Sequence, residues 1–246
     1  MIVDQCTSTN DLARDLAEKG APHGAWISAK IQDSGRGRLG REWQSLPGNL
    51  FLSWIARIEN KNLWSWVPLA TAVACARAIH TAFPSIPIKI KWPNDLWINK
   101  SKCGGILCEA SHQNANSFII IGIGINCARS PKGLDQSTIS IADAAKKSDF
   151  TADDLRIKVL EQLTETFEEL IQNGPSAIQK VYADFSVLSP GTEITWGTPP
   201  EFTSSQSGIV VGLGNSGELI VKKGQGPHIK LFAEDVKIRD VLRVGD

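Results

Sequence analysis

The sequence predicts an α+β fold, a large mixed sheet with helices followed by a small all-β unit, and three observations carry that expectation. Strand-like apolar runs outnumber helical stripes over residues 1–188. Beyond Ser189-Pro190-Gly191 the texture changes to short alternating runs split by glycines. The chain's 246 residues, 42% apolar and 21% charged, suffice to bury a core without metals or disulfide staples.

The elements follow in order. Leu12 and Leu16 at i,i+4, with Ser8 or Thr9 as N-cap and Gly20 as stop, predict a short helix over 9–19. Residues 25–31 read as a strand, 33–42 as a Gly/Arg-rich loop and 49–58 as a second apolar strand. Leu69, Val73, Ala76, Ile79 and Phe83 form an amphipathic helical stripe that stops before Pro84. Strands are expected at 86–92, 103–110 and 117–125, so a mixed sheet fits better than a strict β-α-β repeat. The polar stretch 128–137 lacks periodicity and reads as a surface loop of the kind that serves as a lid. Leu155, Val159, Leu163, Phe167 and Leu170 mark a long helix to about residue 172. Five short strands at 192–196, 208–211, 218–221, 229–232 and 235–238 suggest a small β-barrel. The expected division is therefore 1–188 and 189–246.

Lys plus Arg (26) balances Asp plus Glu (26), so there is no global basic field to hold DNA or an anionic membrane. No apolar stretch approaches the ~18 residues of a membrane span, and no signal segment opens the chain. Cys6, Cys75, Cys103, Cys108 and Cys127 are odd in number and contain no C-x-x-C pair, which fits the cytoplasm better than a disulfide framework or zinc ribbon. The four histidines are far apart.

The densest motif is Gly35-Arg36-Gly37-Arg38-Leu39-Gly40-Arg41-Glu42-Trp43. It matches G-x-G-x-x-G, but a dinucleotide loop must open a helix, and here Pro47-Gly48 and a strand follow. The Walker pattern fails as well, because Arg41-Glu42 stands where Lys and a hydroxyl residue are required. What remains is either a solvated basic turn or a glycine loop whose guanidinium groups close over a phosphate or carboxylate. Lys89 to Asp95 is either an Asx-rich hairpin turn or a presentation of Asn94 and Asp95. Lys102, ahead of Gly104-Gly105, is either a solvated strand-end lysine or a ligand-facing one. Residues 119–126 form either a core strand with packing glycines or a strand against which a flat ligand lies, capped by the Asn126 amide.

Taken in order, Ser8-Thr9-Asn10, Gln32 with Gly35 to Trp43, Lys91-Trp92-Pro93-Asn94-Asp95, Lys102-x-x-Gly105-Ile106-Leu107 and Gly122-x-Gly124-Ile125-Asn126 resemble the successive motifs of biotin protein ligases. The resemblance spans essentially the whole chain. It implies a core similar to class II aminoacyl-tRNA synthetases with a C-terminal SH3-like barrel. It implies activation of biotin by ATP, with Mg²⁺, to biotinyl-5'-adenylate, then transfer to a lysine of a biotin carboxyl carrier protein domain of a biotin-dependent carboxylase.

By the same resemblance Lys102, Arg38 and Asp95 are the catalytic residues. Ser8, Thr9, Asn10, Gln32, Gly35, Arg36, Gly37, Arg38, Lys102, Gly105, Gly122 and Gly124 would hold biotin. Arg36, Arg38, Arg41, Trp43, Lys91, Asn94, Lys102 and Asn126 would hold ATP or the adenylate, and Asp95 would orient Mg²⁺. Ser8 stands too near the start for a DNA-binding domain, so the monofunctional type without one is expected; a homodimer is compatible with the family. Ser137-Thr138 stands where some relatives cover adenine with an aromatic. Two other readings are a lipoate or octanoate ligase of the same fold and a non-catalytic biotin-binding module.

Overall fold

The structure, a computed structural model, describes residues 1–112, 116–134, 136–147, 150–197, 206–232 and 235–238. Its main sheet has seven strands: β1 (Ile2–Cys6), β2 (Trp26–Gln32), β3 (Leu50–Ala56), β4 (Ile88–Lys91), β5 (Asp95–Ile98), β6 (Ser101–Ser111) and β7 (Phe118–Ile125). Their spatial order is β1-β2-β3-β7-β6-β5-β4. Only the edge pair β1–β2 is parallel; the other pairs are antiparallel. The mixed α+β architecture expected from the sequence is present.

One face of this sheet is buried under helices α2 (Val67–Ala82), α4 (Ala152–Asn173) and α5 (Pro175–Phe185). Alternation sends Leu50, Leu52, Trp54, Ile121, Ile123 and Ile125 into that layer. The α4 stripe predicted from Leu155 to Leu170 is wholly buried, and Thr151 with Asp154 forms a capping box at its start. Helix α2 departs from expectation. It is buried on nearly every side, from Leu69 through Cys75 to Ile79, because it lies between the sheet and the other two helices, so it is an internal helix rather than an amphipathic one.

The opposite face is half covered. Helix α1 (Thr9–Glu18) buries Ala13 and Ala17 against Ile55, Phe118 and Ile120 and leaves the other half of the face for the site described below.

Elements absent from the sequence reading have clear physical reasons. β1 is an exposed edge strand, and its polar residues hide its period. β5 has four residues and opens on Asp95. It joins β6 through a two-residue loop, Asn99-Lys100, both at positive φ, the hand that a tight hairpin requires. Helix α5 follows Gly174 directly, opens on Pro175 and buries only Ile178 and Tyr182. A short 3-10 segment (Lys61–Trp66) precedes α2, and α3 (Ile141–Ala145) follows the 128–137 stretch. That stretch is held at both ends. Asn49 accepts from the Ala128 and Arg129 amides, and Lys102 N–H donates to Ser137 O at 2.9 Å.

A second sheet contains β8 (Glu193–Gly197), β9 (Gln206–Leu213), β10 (Leu219–Lys222), β11 (His228–Leu231) and β12 (Asp235–Ile238). It is antiparallel in the order β11-β10-β9-β8-β12. The last eight positions of the expected second unit, 239–246, lie outside the described residues. Ile194, Trp196, Val210, Leu219 and Val221 join the same apolar core as the main sheet. Two tryptophans also tie the layers, Trp66 Nε1 donating to Asn215 O at 2.9 Å and Trp92 Nε1 to Gly217 O at 3.0 Å. All five cysteines are free, and burial pushes the Cys75 and Cys127 thiols up to about 12, so both stay protonated and unreactive. No helix of the described residues is long and apolar enough to cross a membrane.

Candidate functional site

The site grows from a patch of missing side chains. Gly105 on β6 is paired with Gly124 on β7, and Leu107 with Gly122; Phe51 and Ser53 on β3 complete the row. A Cβ on Gly122 would lie 2.4 Å from Asn10 Oδ1, and one on Gly124 would lie 2.5 Å from Trp43 Cε2. Neither distance is tolerable, so the glycines are what let Asn10 and Trp43 lie flat on the sheet. On one face of 119–126 the glycines lie against Asn10 and Trp43, while the other face is core. The room expected above Gly122 and Gly124 is occupied here by the chain's own Asn10 and Trp43.

Residues 35–43, expected as a loop, form a β-hairpin. Arg36 bridges Glu42, Gly37 N–H donates to Arg41 O at 2.7 Å, and Trp43 N–H donates to Gly35 O at 2.9 Å. At the tip Leu39 (φ 56°, ψ 38°) and Gly40 (φ 72°) are both left-handed, the backbone of a two-residue reverse turn. The hairpin carries Trp43 onto the floor and Arg38 across to the β4–β5 turn, where Arg38 donates to Asn94 Oδ1 at 3.0 Å. Asn94 Nδ2 donates in turn to Ile106 O at 2.7 Å, so both ends of this amide are committed to holding the turn and the arginine.

Lys102 reaches the same face through a bulge. Gly104 pairs with Leu96 and Lys102 with Trp97, leaving Cys103 as the extra residue, so Lys102 and Gly105 face the same side despite odd spacing. Lys102 Nζ lies 2.7 Å from Asp95 Oδ1 and 5.6 Å from the centre of the Trp43 ring. Lys91 Nζ sits 4.6 Å over Trp97, and Arg41 is exposed at the hairpin.

Arg36 points elsewhere. It donates to both oxygens of Asp11 on α1, at 2.7 and 2.9 Å, and approaches Glu109 on β6 at 3.5 Å. Its hydrogen bonds hold the Asp11 carboxyl below the ordinary aspartate value. The structure thus brings Arg38, Asn94, Asp95 and Lys102 together and sets Arg36 apart as a latch between hairpin and α1.

Of the expected biotin residues, Ser8, Thr9, Gln32 and Gly35 gather at the other end of the floor. Thr9 N–H and Oγ1 both donate to Gln32 Oε1, at 2.8 and 3.0 Å. Gln32 Nε2 donates to Ser45 Oγ at 3.3 Å, and Gly35 packs against the same side chains. Ser8 is buried at the N-cap of α1 without its side chain capping the helix. Ser53, Ser45, Asp11 and Glu109 were not singled out from the sequence. A glutamate at two-residue phase with Gly105 in an apolar strand is the signal that could have found Glu109.

Two buried polar atoms near the floor lack a partner among the described residues: Trp43 Nε1 and Asn126 Oδ1. Asn126 Nδ2 makes a 3.4 Å hydrogen bond to Ile139 O. Buried donors and acceptors are ordinarily satisfied, so an orphaned N–H and an orphaned carbonyl at one site fit a ligand that carries both complements. Among the described residues no group of three or more His, Cys, Asp or Glu side chains is arranged to hold a metal by itself.

Residues 2–126 match the family model described as the Biotin/lipoate A/B protein ligase family. The chain is 29% identical over 242 residues to the bifunctional ligase/repressor BirA of Bacillus subtilis, covering 96% of this chain and 72% of that protein. It is 37% identical over 127 residues to the biotin--[acetyl-CoA-carboxylase] ligase of Paracoccus denitrificans, half of each chain. The fold is similar to that of the biotin protein ligase from Aquifex aeolicus in complex with biotin and ATP, with a TM-score of 0.81, 23% identity, and 97% and 98% of the two chains covered. With half of its length under the family model and the same fold throughout, this chain belongs to the biotin/lipoate A/B protein ligase family.

Proposed function

We propose that this ligase activates biotin with ATP and transfers it to a lysine of a biotin carboxyl carrier domain. The observation that carries this reading is the polarity of one sheet face: a hydrogen-bonding row at Thr9, Asn10, Gln32 and Ser53, a glycine floor on which the Trp43 indole now rests and from which it would have to lift, and Lys102 and Arg38 at the far end. A ureido head with two donors and one acceptor suits the row, an apolar ring and arm suit the floor, and the carboxylate then reaches the cations. There a carboxylate oxygen attacks the α-phosphorus of ATP and the bond to pyrophosphate breaks; afterwards a carrier lysine amine attacks the acyl carbon and AMP leaves. Lys102 and Arg38 offset the like charges that meet in the first step.

Trp43 and Asn126, with their orphaned N–H and carbonyl, would take the adenine. Mg²⁺ usually needs only one or two carboxylates beside phosphate oxygens and water, and Asp95 can supply one; Asn94, committed at both ends, is a scaffold rather than a ligand. When bound, the ion would neutralise charge on the phosphates. We read residues 1–188 as the catalytic domain and the five-stranded sheet beyond them as an SH3-like barrel. The exposed edge strand β1 is where a second copy would add to make a homodimer, and the neutral charge speaks against DNA as a partner.

An octanoyl or lipoyl chain has no donor or acceptor to engage the polar row, and discrimination by hydrogen bonding can reach about 10⁴-fold. The test is pyrophosphate exchange and label transfer to a carrier domain with ATP and Mg²⁺. Biotin is expected to support both, and octanoate neither. Support by octanoate alone would assign the lipoate branch, and binding of biotin without exchange would assign a non-catalytic module.

A further inference from the structure

We infer that Glu109, outside every motif singled out in the sequence, is a positioning residue that sets the polarity of the biotin end of the floor by fixing the Asn10 amide. Its carboxylate, an acceptor only, receives Asn10 Nδ2 at 2.8 Å. That leaves Asn10 Oδ1 facing the other way, where Ser53 Oγ donates to it at 2.6 Å. Ser53 is completely buried and Asn10 3% exposed, so neither has water to fall back on. Ser53 also lies 2.8 Å from Thr9 Oγ1, but it has one proton, and the shorter contact is to Asn10.

With that proton committed, the Thr9 hydroxyl is left to Gln32 or to a ligand. The amide lies close against the sheet, where Gly122 leaves it room that any Cβ would take. The same carboxylate is approached by Arg36 at 3.5 Å and Arg14 at 3.7 Å, which anchor it. One acid on β6 therefore decides which end of a buried amide is presented, and a flipped Asn10 would offer a donor where the floor now offers an acceptor.

This inference rests on the biotin reading, and a reversal of polarity tests it. Asn10→Asp places two carboxylates together, whereas Asn10→Asp with Glu109→Gln restores the hydrogen bond, the amide now on residue 109, and still presents an oxygen to Ser53. In pyrophosphate exchange with the full chain, Asn10→Asp is expected to raise the biotin KM by about tenfold or more while the ATP KM stays within about twofold. The double variant is expected to return the biotin KM to within about threefold of the parent. Should Asn10→Asp lose its cooperative melt, Ser53→Ala carries the test, with an expected rise of about fivefold in the biotin KM alone. A double variant no better than Asn10→Asp, equal shifts in both KM values, or an unchanged biotin KM in Ser53→Ala overturns the inference. Parent protein without biotin-dependent exchange overturns the functional reading itself, and that failure is visible before any variant is made.

Discussion

The Lys102 ammonium lies 2.7 Å from the Asp95 carboxylate, with both side chains mostly covered, at 16% and 17% exposure. The bulge at Cys103 creates this pair by turning Lys102 to the side of the sheet that carries Gly105 and Trp43. A lysine positioned by a carboxylate beside the glycine floor is set to meet an anion. Replacing Lys102 by Ala is expected to lower the rate of adenylate formation by about 10³-fold, measured as biotin-dependent pyrophosphate exchange. A rate within tenfold of the parent would remove Lys102 from the chemistry.

Arg38 has a different task, since it donates to the oxygen of Asn94, whose Nδ2 anchors the β4–β5 turn. Arg38→Gly unties the hairpin from that turn without touching Lys102. The variant is expected to keep adenylate formation within about tenfold of the parent and to release the product early. Bystander proteins added to the reaction should then acquire label alongside the carrier domain. Label confined to the carrier would refute this.

The two floor glycines separate the two ends of the site. Gly124→Ala must push the Trp43 indole, and Gly122→Ala must push the Asn10 amide. Each is expected to lower stability by about 1–3 kcal/mol through overpacking. The first should raise mainly the ATP KM and the second mainly the biotin KM, and steady-state kinetics on the pair reads the contrast.

The Arg36–Asp11 latch has a pH signature. Arg36 holds Asp11 below its ordinary value of 3.8, so the stabilisation is present at neutral pH and is lost as pH falls below that value and through the depressed one. Because both side chains are more than a third exposed, solvent screening limits the effect to about 0.5–1 kcal/mol. Urea midpoints of parent and Asp11→Asn should differ at pH 7 and converge in acid. A constant gap would mean that the pair is not what the titration senses.

Long periodic segments were legible in the sequence, because the α4 stripe and the β3 and β7 runs owe their form to burial alone. The site was legible as residue identities, but its pairing was not. Nothing local tells Arg36 from Arg38; the distinction comes from Asp11 and Glu109, which reach Arg36 through tertiary packing. Trp92 likewise stands inside a motif two residues before Asn94, yet its indole faces away and donates to the Gly217 carbonyl in the β9–β10 turn. Helix α2 differs from expectation for the converse reason, since a stripe with an alanine-rich back reads as amphipathic until a second layer covers that back.

The mirror-image turn at Leu39-Gly40 bears on how such a string should be searched for. The third glycine of the G-x-G-x-x-G match answers to backbone handedness and not to a pyrophosphate, and Leu39 holds the same unfavourable hand with a full side chain. A saturation library at these two positions, selected for folding alone, would enrich Asn, Asp and Gly and purge Val, Ile and Thr. The spacing shared with dinucleotide loops is thus a coincidence between two unrelated geometric demands, and a pattern search that also asked for a strand returning after the last glycine would tell them apart.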